Sequence, residues 1–203
     1  MRIIAGTFRG RTLLSPPSNT TRPITDRAKQ SLFDALTVTI EIPGSYVLDC
    51  FAGTGSMGLE AISRGAAGAV FVERDRGALE NLRNNIGRLS VVHLCRVVAT
   101  DAYKMAGSPA GVLGSLPRFR IAFVDPPYSH LESPQDRGKV DQLIATLIQS
   151  SMEPQGIIVL RHPEADSLDS MQLASRIVRK FKYGSMAITW LTSDPGGSTA
   201  VGV

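Results

Sequence analysis

The stretch YVLDCFAGTGSMG at residues 46–58 decides the fold of this chain. It begins as a short apolar strand ending at Asp49, and Gly53, Gly55 and Gly58 follow in a G-x-G-x-x-G pattern. Glycine lets the backbone take positive φ angles and approach a ligand closely. A strand, a glycine-rich turn and a helix in this order are typical of an α/β nucleotide-binding fold.

Further apolar strands follow this stretch, and each of them ends close to an acidic residue. Asp49, Glu73, Asp101 and Asp125 are separated by 24, 28 and 24 residues, about the length of one strand, one helix and two turns. Continuous apolar strands with helical intervals predict a parallel sheet covered on both faces. Because ligands bind beyond the carboxyl ends of parallel strands, we expect the four acids to converge on one crevice.

The last third of the chain predicts one more parallel strand and a closing hairpin. A helix follows Asp136, a fifth strand covers 156–160, and two strand-like runs lie near 175–182 and 186–191. The turn between these runs is short enough for a hairpin, which would add an antiparallel edge to the sheet.

The first 30 residues carry the positive charge of the chain. They hold six cationic residues and one acid, a net charge of +5, whereas the whole chain has a net charge of +4. Two short strand-like runs surround a glycine-containing turn there, and after a Pro/Ser/Asn linker Thr25 and Asp26 can cap a helix running to about Leu36. A basic hairpin suits contact with phosphates, although a solvated arm without a partner would have the same composition.

The composition excludes several classes of protein. Hydrophobic residues make up 43% and charged residues 20% of the chain, as in ordinary globular domains. No apolar run approaches the ~18 residues needed to span a membrane, and the apolar start is too short for a signal peptide. Cys50 and Cys95 are the two cysteines, too few for a four-ligand zinc site. We expect no metal and no membrane, and a cytoplasmic location.

The glycine loop by itself fits two kinds of cofactor. A dinucleotide-dependent oxidoreductase has the same pattern, and Glu73 fits both because a carboxylate there can bind both ribose hydroxyls. Asp49 favours the second kind, since a carboxylate before the glycines repels a pyrophosphate but suits an ammonium or a sulfonium. We therefore expect S-adenosylmethionine, with its adenine near Asp101. The predicted cofactor-binding residues are Asp49, Phe51, Ala52, Gly53, Thr54, Gly55, Gly58, Glu73, Arg74, Asp101, Ala102 and Asp125.

The turn after the fourth strand reads Asp125-Pro126-Pro127-Tyr128 and forms the predicted catalytic group. An exocyclic amine on a nucleic-acid base is a poor nucleophile because its lone pair is delocalised into the ring. Acceptors aimed at its N–H groups stabilise the positive charge that develops during methyl transfer. Asp125 supplies one acceptor, and the Pro126 carbonyl, held by two prolines, can supply the other. Tyr128 offers a ring on which the base can stack.

Together these motifs resemble the bacterial 16S ribosomal RNA guanine-N2 methyltransferase family, one of the class I methyltransferases. The resemblance covers roughly the first two thirds of the chain, and the R-P-x-T-D-R element at 22–27 is more specific than the glycine loop. The resembling segments are 2–6, 9–11, 21–27, 48–55, 58–61, 63–66 and 124–128.

The resemblance implies a Rossmann-like, seven-stranded, mostly parallel sheet with an antiparallel C-terminal hairpin strand and a small N-terminal β-hairpin. It implies a monomer that methylates the N2 amine of a guanine in 16S ribosomal RNA, as RNA or in a small-subunit assembly intermediate. We expect the chain to divide into a basic hairpin and linker at 1–24, a methyltransferase domain at 25–192 and a tail at 193–203, whose Gly/Ser/Thr-rich composition predicts disorder. The predicted RNA-binding residues are Arg9, Arg11, Arg22, Thr25, Asp26 and Arg27.

The chain departs from the family pattern after residue 130. The family favours an acidic stretch after its fifth strand, where this chain has Arg161-His162-Pro163-Glu164, and Asp-Thr rather than Ser185-Met186 after Tyr183-Gly184. These departures leave open the target nucleotide, and an adenine-N6 methyltransferase fits the same catalytic turn. A dinucleotide-dependent oxidoreductase would leave the Asp-Pro-Pro-Tyr turn unexplained. A non-catalytic RNA-binding protein on the same scaffold would have no need of the intact motifs.

Overall fold

The structure, a computed structural model, describes residues 1–15, 24–165, 168 and 176–192. Along these ranges helices and strands alternate as far as Val124, and two helices and then three strands follow. The helices are α1 (Asp26–Thr39), α2 (Ser56–Ser63), α3 (Arg76–Arg88), α4 (Pro109–Leu113), α5 (Ser129–Glu132) and α6 (Pro134–Ser150), with 3₁₀ turns at Val92–Leu94 and Ala102–Ala106. The strands are β1 (Tyr46–Cys50), β2 (Gly68–Glu73), β3 (Cys95–Ala99), β4 (Phe119–Val124), β5 (Met152–Pro163), β6 (Ile177–Tyr183) and β7 (Met186–Thr192).

Within the described ranges the strands form a seven-stranded sheet in the order β3-β2-β1-β4-β5-β7-β6. The β1–β2, β2–β3 and β4–β5 pairs are parallel, whereas β7 is antiparallel to both β5 and β6. The predicted Rossmann-like sheet with its antiparallel C-terminal hairpin is thus confirmed. The contacts divide the chain into two compact units, Met1–Ala102 and the part from Tyr103 onward.

In the first unit, β2 lies between β1 and β3, and three of the predicted acids lie at the carboxyl ends of these strands. Asp49 is the penultimate residue of β1, Glu73 is the last residue of β2, and Asp101 follows the end of β3 by two residues. The register aligns these ends, since Cys50 pairs with Val72 and Glu73 with Ala99. The predicted positions of these three acids are confirmed.

The N-terminal segment, residues 1–15, folds back on itself without forming two regular strands. The Ile3 amide donates to the Arg11 carbonyl at 2.9 Å, but the single β-bridge joins Arg2 to Thr12. The expected strand hydrogen bonds are replaced by bonds to α2: the Thr7 amide donates to the Ser63 carbonyl at 2.8 Å and the Phe8 amide to the Ser63 hydroxyl at 2.9 Å. The segment therefore forms the predicted hairpin, but an irregular one, because several of its amides donate to α2 instead of to the opposite strand.

Helix α1 begins where the sequence predicts and continues three residues further than expected. The Thr25 side chain caps it by accepting a hydrogen bond from the Ala28 amide at 3.2 Å. The helix ends at Thr39 rather than near Leu36, and Leu32, Phe33 and Leu36 are fully buried as its apolar spacing predicts.

In the second unit, β5 is longer than predicted at both ends. It spans Met152–Pro163 instead of 156–160, because its early part pairs irregularly with β4, with Gln155 at φ +60°, and its last part pairs with β7. The Pro154 and Pro163 positions look like strand breakers in the sequence, since proline cannot donate a ladder hydrogen bond. The hairpin turn at Gly184, with φ +64°, lies where the sequence places it.

Helix α6 covers the second unit with the face predicted from its spacing. Val140, Leu143, Ile144 and Leu147 are fully buried. None of the helices in the described part of the chain has both the length and the apolar composition needed to cross a membrane.

Candidate active site

The glycine loop joins β1 to α2, and its three glycines serve different purposes. A Cβ on Gly55, which has φ +82°, would lie 2.4 Å from Leu82, and one on Gly58 would lie 2.4 Å from the Phe71 ring. These two glycines therefore allow close packing of the loop and α2. Gly53, with φ +55°, has open space where its Cβ would be. It is the position at which a ligand can approach the backbone.

Asp49 is fixed beneath this loop. Asp49 is buried, at 2% exposure, and its Oδ2 accepts a hydrogen bond from the Gly58 amide at 2.9 Å. A carboxylate near the first turn of a helix is stabilised by the free amides of that turn. Asp49 thus holds the start of α2 and places negative charge behind the glycine loop.

Glu73 is engaged by the backbone on both carboxylate oxygens. Oε2 accepts from the Gly53 amide at 2.8 Å, while Oε1 accepts from the Arg74 amide at 2.7 Å and the Asp75 amide at 2.8 Å. A carboxylate has about four lone-pair sites, so there is room for about one further donor. If both ribose hydroxyls donate to Glu73 as predicted, one of them must share an acceptor site with a backbone amide or displace that amide.

Asp101 already has a cationic partner. Its Oδ2 accepts a hydrogen bond from Arg74 Nη1 at 2.8 Å, and the Arg74 side chain is 60% exposed. Exposed ion pairs are worth about 0–1 kcal/mol, so a ligand can readily exchange with this one. The neighbouring Ala102 is buried, at 3% exposure. The predicted adenine site is compatible with this arrangement.

Asn85 is a residue of this site that the sequence reasoning missed. It is fully buried on α3, and its Nδ2 donates to the Thr54 carbonyl at 3.0 Å and to the Leu14 carbonyl at 3.2 Å. The same amide thus supports both the glycine loop and the N-terminal segment. No sequence signal marks it, because an asparagine inside an amphipathic helix ordinarily faces solvent.

In the second unit, the Asp125-Pro126-Pro127-Tyr128 turn follows the end of β4 directly. The Pro127 carbonyl accepts from the His130 amide and the Tyr128 carbonyl from the Leu131 amide, each at 2.9 Å. Among the described residues, none donates a hydrogen bond to the Pro126 carbonyl. This carbonyl is the acceptor that the sequence assigns to the substrate amine.

The Asp125 carboxylate is held by Arg161. Arg161 Nε donates to Asp125 Oδ1 at 2.7 Å, and the two side chains are 13% and 31% exposed. Burial raises the pKa of the Asp125 carboxyl, and the Arg161 guanidinium acts in the opposite direction. The guanidinium carbon also lies 5.8 Å from the centre of the Tyr128 ring. The sequence shows Arg161 as a departure from the family pattern and assigns it no role.

The two histidines near this turn have structural partners. His162 is buried and its Nε2 lies 2.8 Å from the Thr189 hydroxyl. His130 Nδ1 lies 2.8 Å from the Tyr103 hydroxyl, with the two rings 5.6 Å apart. Neither contact involves the Asp125 carboxylate.

The predicted RNA-binding residues fall into three groups. Arg9, Arg11 and Arg27 are exposed. Thr25 caps α1, and Asp26 Oδ2 pairs with Arg2 Nε at 2.8 Å, so both have structural partners. Arg22 lies outside the described residues, as do residues 193–203, for which disorder is predicted.

Lys29 is one of the six cationic residues among the first 30, but it is fully buried. Its Nζ donates to the Arg2 carbonyl at 2.6 Å and to the Ser56 hydroxyl at 3.1 Å, and lies 3.5 Å from Glu60 Oε2. Glu60, also fully buried, accepts from the Ile4 amide at 2.7 Å and the Ala5 amide at 3.0 Å. This buried ion pair joins α1 to α2, and each of its members also forms hydrogen bonds with the backbone of the N-terminal segment.

Comparison with known proteins supports the predicted family. The family described as "Conserved hypothetical protein 95" matches residues 1–192. The Bacillus subtilis protein named "Putative rRNA methyltransferase YlbH" is 32% identical over 185 residues, which is 91% of this chain and 94% of that relative.

Escherichia coli provides two further similar proteins. Its "Ribosomal RNA small subunit methyltransferase D" is 41% identical over 131 residues, and the match spans 63% of this chain and 60% of the relative's length. The solved structure described as "Putative methyltransferase yhhF from Escherichia coli" has a TM-score of 0.75 and 31% identity, covering 95% of this chain and 97% of that chain. The chain belongs to the "Conserved hypothetical protein 95" family, a family with methyltransferase members, as the resemblance of its motifs predicts.

Proposed function

We propose that this protein transfers a methyl group from S-adenosylmethionine to the exocyclic N2 amine of a guanine in 16S ribosomal RNA. The names of its relatives, a small-subunit ribosomal RNA methyltransferase among them, support this substrate class. The observation that carries the proposal is the Asp125-Pro126-Pro127-Tyr128 turn. It presents a carboxylate, a carbonyl that accepts from none of the described residues, and an aromatic ring within four consecutive residues.

The residues of the first unit suit S-adenosylmethionine. Open space over Gly53 allows close approach, Glu73 can accept a hydroxyl hydrogen bond, and the buried Asp49 supplies negative charge for the amino-acid and sulfonium end. When bound, the cofactor supplies a methyl group activated by the positive sulfur. The full set of predicted cofactor-binding residues remains a proposal.

The residues of the second unit suit the amine. Asp125 Oδ1 is held by Arg161, so its Oδ2 can accept one N–H of the base, and the Pro126 carbonyl can accept the other. These acceptors stabilise the nitrogen as it becomes cationic, while its new bond to carbon forms and the sulfur–carbon bond breaks. The amine then releases its proton to solvent. Asp125 therefore works ionised, as an acceptor and electrostatic partner, and Tyr128 stacks on the base.

The N-terminal segment is proposed as a phosphate-binding surface. Arg9, Arg11 and Arg27 are exposed cations. Arg22, which lies outside the described residues, is proposed as a further phosphate contact from the sequence alone. Thr25 and Asp26 contact their own chain, so we propose that they act indirectly on RNA binding. Thr25 positions the start of α1 and Asp26 positions Arg2. The buried Lys29–Glu60 pair holds the segment in place.

The organisation of the chain completes the proposal. We propose a hairpin and linker at 1–24, a methyltransferase domain at 25–192 and a tail at 193–203. The protein would act as a monomer in the cytoplasm, where small subunits are assembled, on ribosomal RNA or on an assembly intermediate. The description of a relative as a small-subunit ribosomal RNA enzyme supports this setting.

Calorimetry tests the cofactor assignment. S-adenosylhomocysteine, which lacks the transferable methyl group, should bind in a single saturable event, whereas NAD should not bind, because Asp49 repels its pyrophosphate. Binding of NAD without binding of S-adenosylhomocysteine would overturn the assignment in favour of an oxidoreductase.

Replacing Arg9 and Arg11 by alanine should weaken RNA binding and lower its salt dependence. Each lost phosphate contact reduces the slope of log K against log salt by about 1. Affinity for S-adenosylhomocysteine should be unchanged. The matched control is the double variant Arg83→Ala/Arg88→Ala, which removes the same charge from exposed positions of α3. Equal effects of the two double variants would mean that net charge, and not the N-terminal surface, governs RNA binding.

A further inference from the structure

Arg161 contacts two of the four residues in the proposed catalytic turn. The β4–β5 ladder pairs Val124 with Leu160, so Asp125, which directly follows β4, lies beside Arg161 of β5. Their side chains are joined by the 2.7 Å hydrogen bond from Nε to Oδ1. The strand register therefore sets this contact, which lies at the carboxyl end of both strands.

The same guanidinium lies beside the ring of Tyr128. Its carbon is 5.8 Å from the ring centre, within the ~6 Å of a cation–π contact. With its side chain 13% exposed, Arg161 is well shielded from water, which strengthens both interactions. One side chain thus restrains the carboxylate and the aromatic ring together.

We propose that Arg161 is a positioning residue for methyl transfer, which fixes the Asp125 carboxylate through Oδ1, leaves Oδ2 for the substrate amine, and supports one face of the Tyr128 ring. This role rests on the proposed function of the turn. Arg161 does not touch the base. The other face of the Tyr128 ring is then the one that stacks on the base.

Electrostatics supports this role. Burial favours the neutral form of Asp125, and Arg161 is the charged group among the described residues that offsets this effect on the pKa. Without Arg161, the pKa of Asp125 should rise further, since the one opposing influence is gone. The carboxyl would then remain protonated to a higher pH, and the protonated form carries no charge to stabilise a cationic amine.

The test compares Arg161→Met with Arg120→Met. Arg120 also lies on this strand pair, and its Nη2 pairs with Glu153 at 2.8 Å, so the control removes an ion pair of similar length from the same ladder. Arg161→Met should lower kcat by about 10-fold or more, the worth of a hydrogen bond to a charged group. It should also move the acidic limb of the kcat profile to higher pH, with little change in KM for RNA. Arg120→Met should do neither.

Carbon-13 NMR titration of the Asp125 carboxyl group gives a readout that needs no activity. Its pKa should be higher in Arg161→Met than in the wild type and in Arg120→Met. If Arg161→Met does not fold, Arg161→Lys provides the test, because it keeps the charge but loses the planar donor. It should then lower kcat while leaving the acidic limb near its wild-type position. Superimposable pH profiles and titrations of the wild type and Arg161→Met would overturn the role of Arg161, as would a wild-type kcat for Arg161→Lys. An inactive wild type would overturn the proposed function instead.

Discussion

Replacing Asp125 by asparagine should lower kcat for methyl transfer by about 10²–10³-fold, the typical loss when one preorganised electrostatic partner is removed. The contact with Arg161 explains why asparagine cannot replace the carboxylate here. Because Arg161 Nε donates to one atom of this side chain, the asparagine carbonyl would stay on Arg161 and its NH₂ would face the substrate amine. A donor would then oppose a donor, and the negative charge would be gone. Affinity for S-adenosylhomocysteine should fall far less than kcat, because Asp125 is one of many predicted cofactor contacts.

The matched control is Asp136→Asn, which removes an aspartate that pairs with Lys139 on the first turn of α6. Its kcat should equal that of the wild type. At Tyr128, substitution by phenylalanine should be mild and by alanine severe, since the ring and not the hydroxyl stacks on the base. Near-wild-type turnover of Asp125→Asn would remove the basis for amine methylation. Equal damage from the two Tyr128 variants would require a role for the hydroxyl.

Replacing Glu60 by glutamine should lower the free energy of unfolding by about 3–5 kcal/mol, the cost of breaking a buried ion pair by removing one partner. Lys29 would remain fully buried without its counter-charge, 3.5 Å from a neutral amide. The amides of Ile4 and Ala5 would also compete for a single carbonyl acceptor. Chemical denaturation measures the loss, and hydrogen exchange at Ile4 and Ala5 should accelerate as the N-terminal segment loosens.

The stability of the Glu60→Gln variant should increase with pH. Burial lowers the pKa of Lys29 from its ordinary value of 10.5, and Glu60 opposes that shift. Without Glu60 the folded state should bind this proton more weakly than the unfolded state, so stability should rise with pH between the two pKa values. The destabilisation should therefore be greatest at neutral pH and shrink as the pH approaches 10.5.

Asp34→Asn is the matched control for Glu60. Asp34 pairs with Arg64, which also donates to Glu60, but the Asp34 side chain is 59% exposed. An exposed ion pair contributes about 0–1 kcal/mol, so this variant should unfold almost like the wild type. Equal unfolding free energies for the two variants would show that the buried network does not anchor the segment.

The fold and the position of the candidate site were predictable because their determinants are local. Apolar runs of strand length, each followed by an acid, are enough to place Asp49, Glu73, Asp101 and Asp125 at strand ends. The glycine pattern predicts the loop but does not show that its three glycines have different roles. Gly55 and Gly58 are required for close packing against Leu82 and Phe71, whereas the structure shows open space at the Cβ position of Gly53.

Contacts between distant residues could not be predicted in the same way. Arg161 and Asp125 are 36 residues apart, and Asn85 and Leu14 are 71 apart, so no spacing rule connects them. Charge counting also treats Lys29 as a surface cation, although it is buried against Glu60. Local patterns in the sequence therefore place the predicted site residues at strand ends, whereas the side chains that hold them are found only in the structure.

The most direct test of guanine-N2 methylation is mass spectrometry of the nucleosides in 16S ribosomal RNA from matched strains. The strains would carry the gene, lack it, or lack it and be complemented by the wild type or by Asp125→Asn. N2-methylguanosine should fall when the gene is absent, return with the wild-type gene and stay low with Asp125→Asn. An unchanged N2-methylguanosine level in the strain lacking the gene would contradict the proposal, and a fall in N6-methyladenosine in its place would assign the enzyme to adenine.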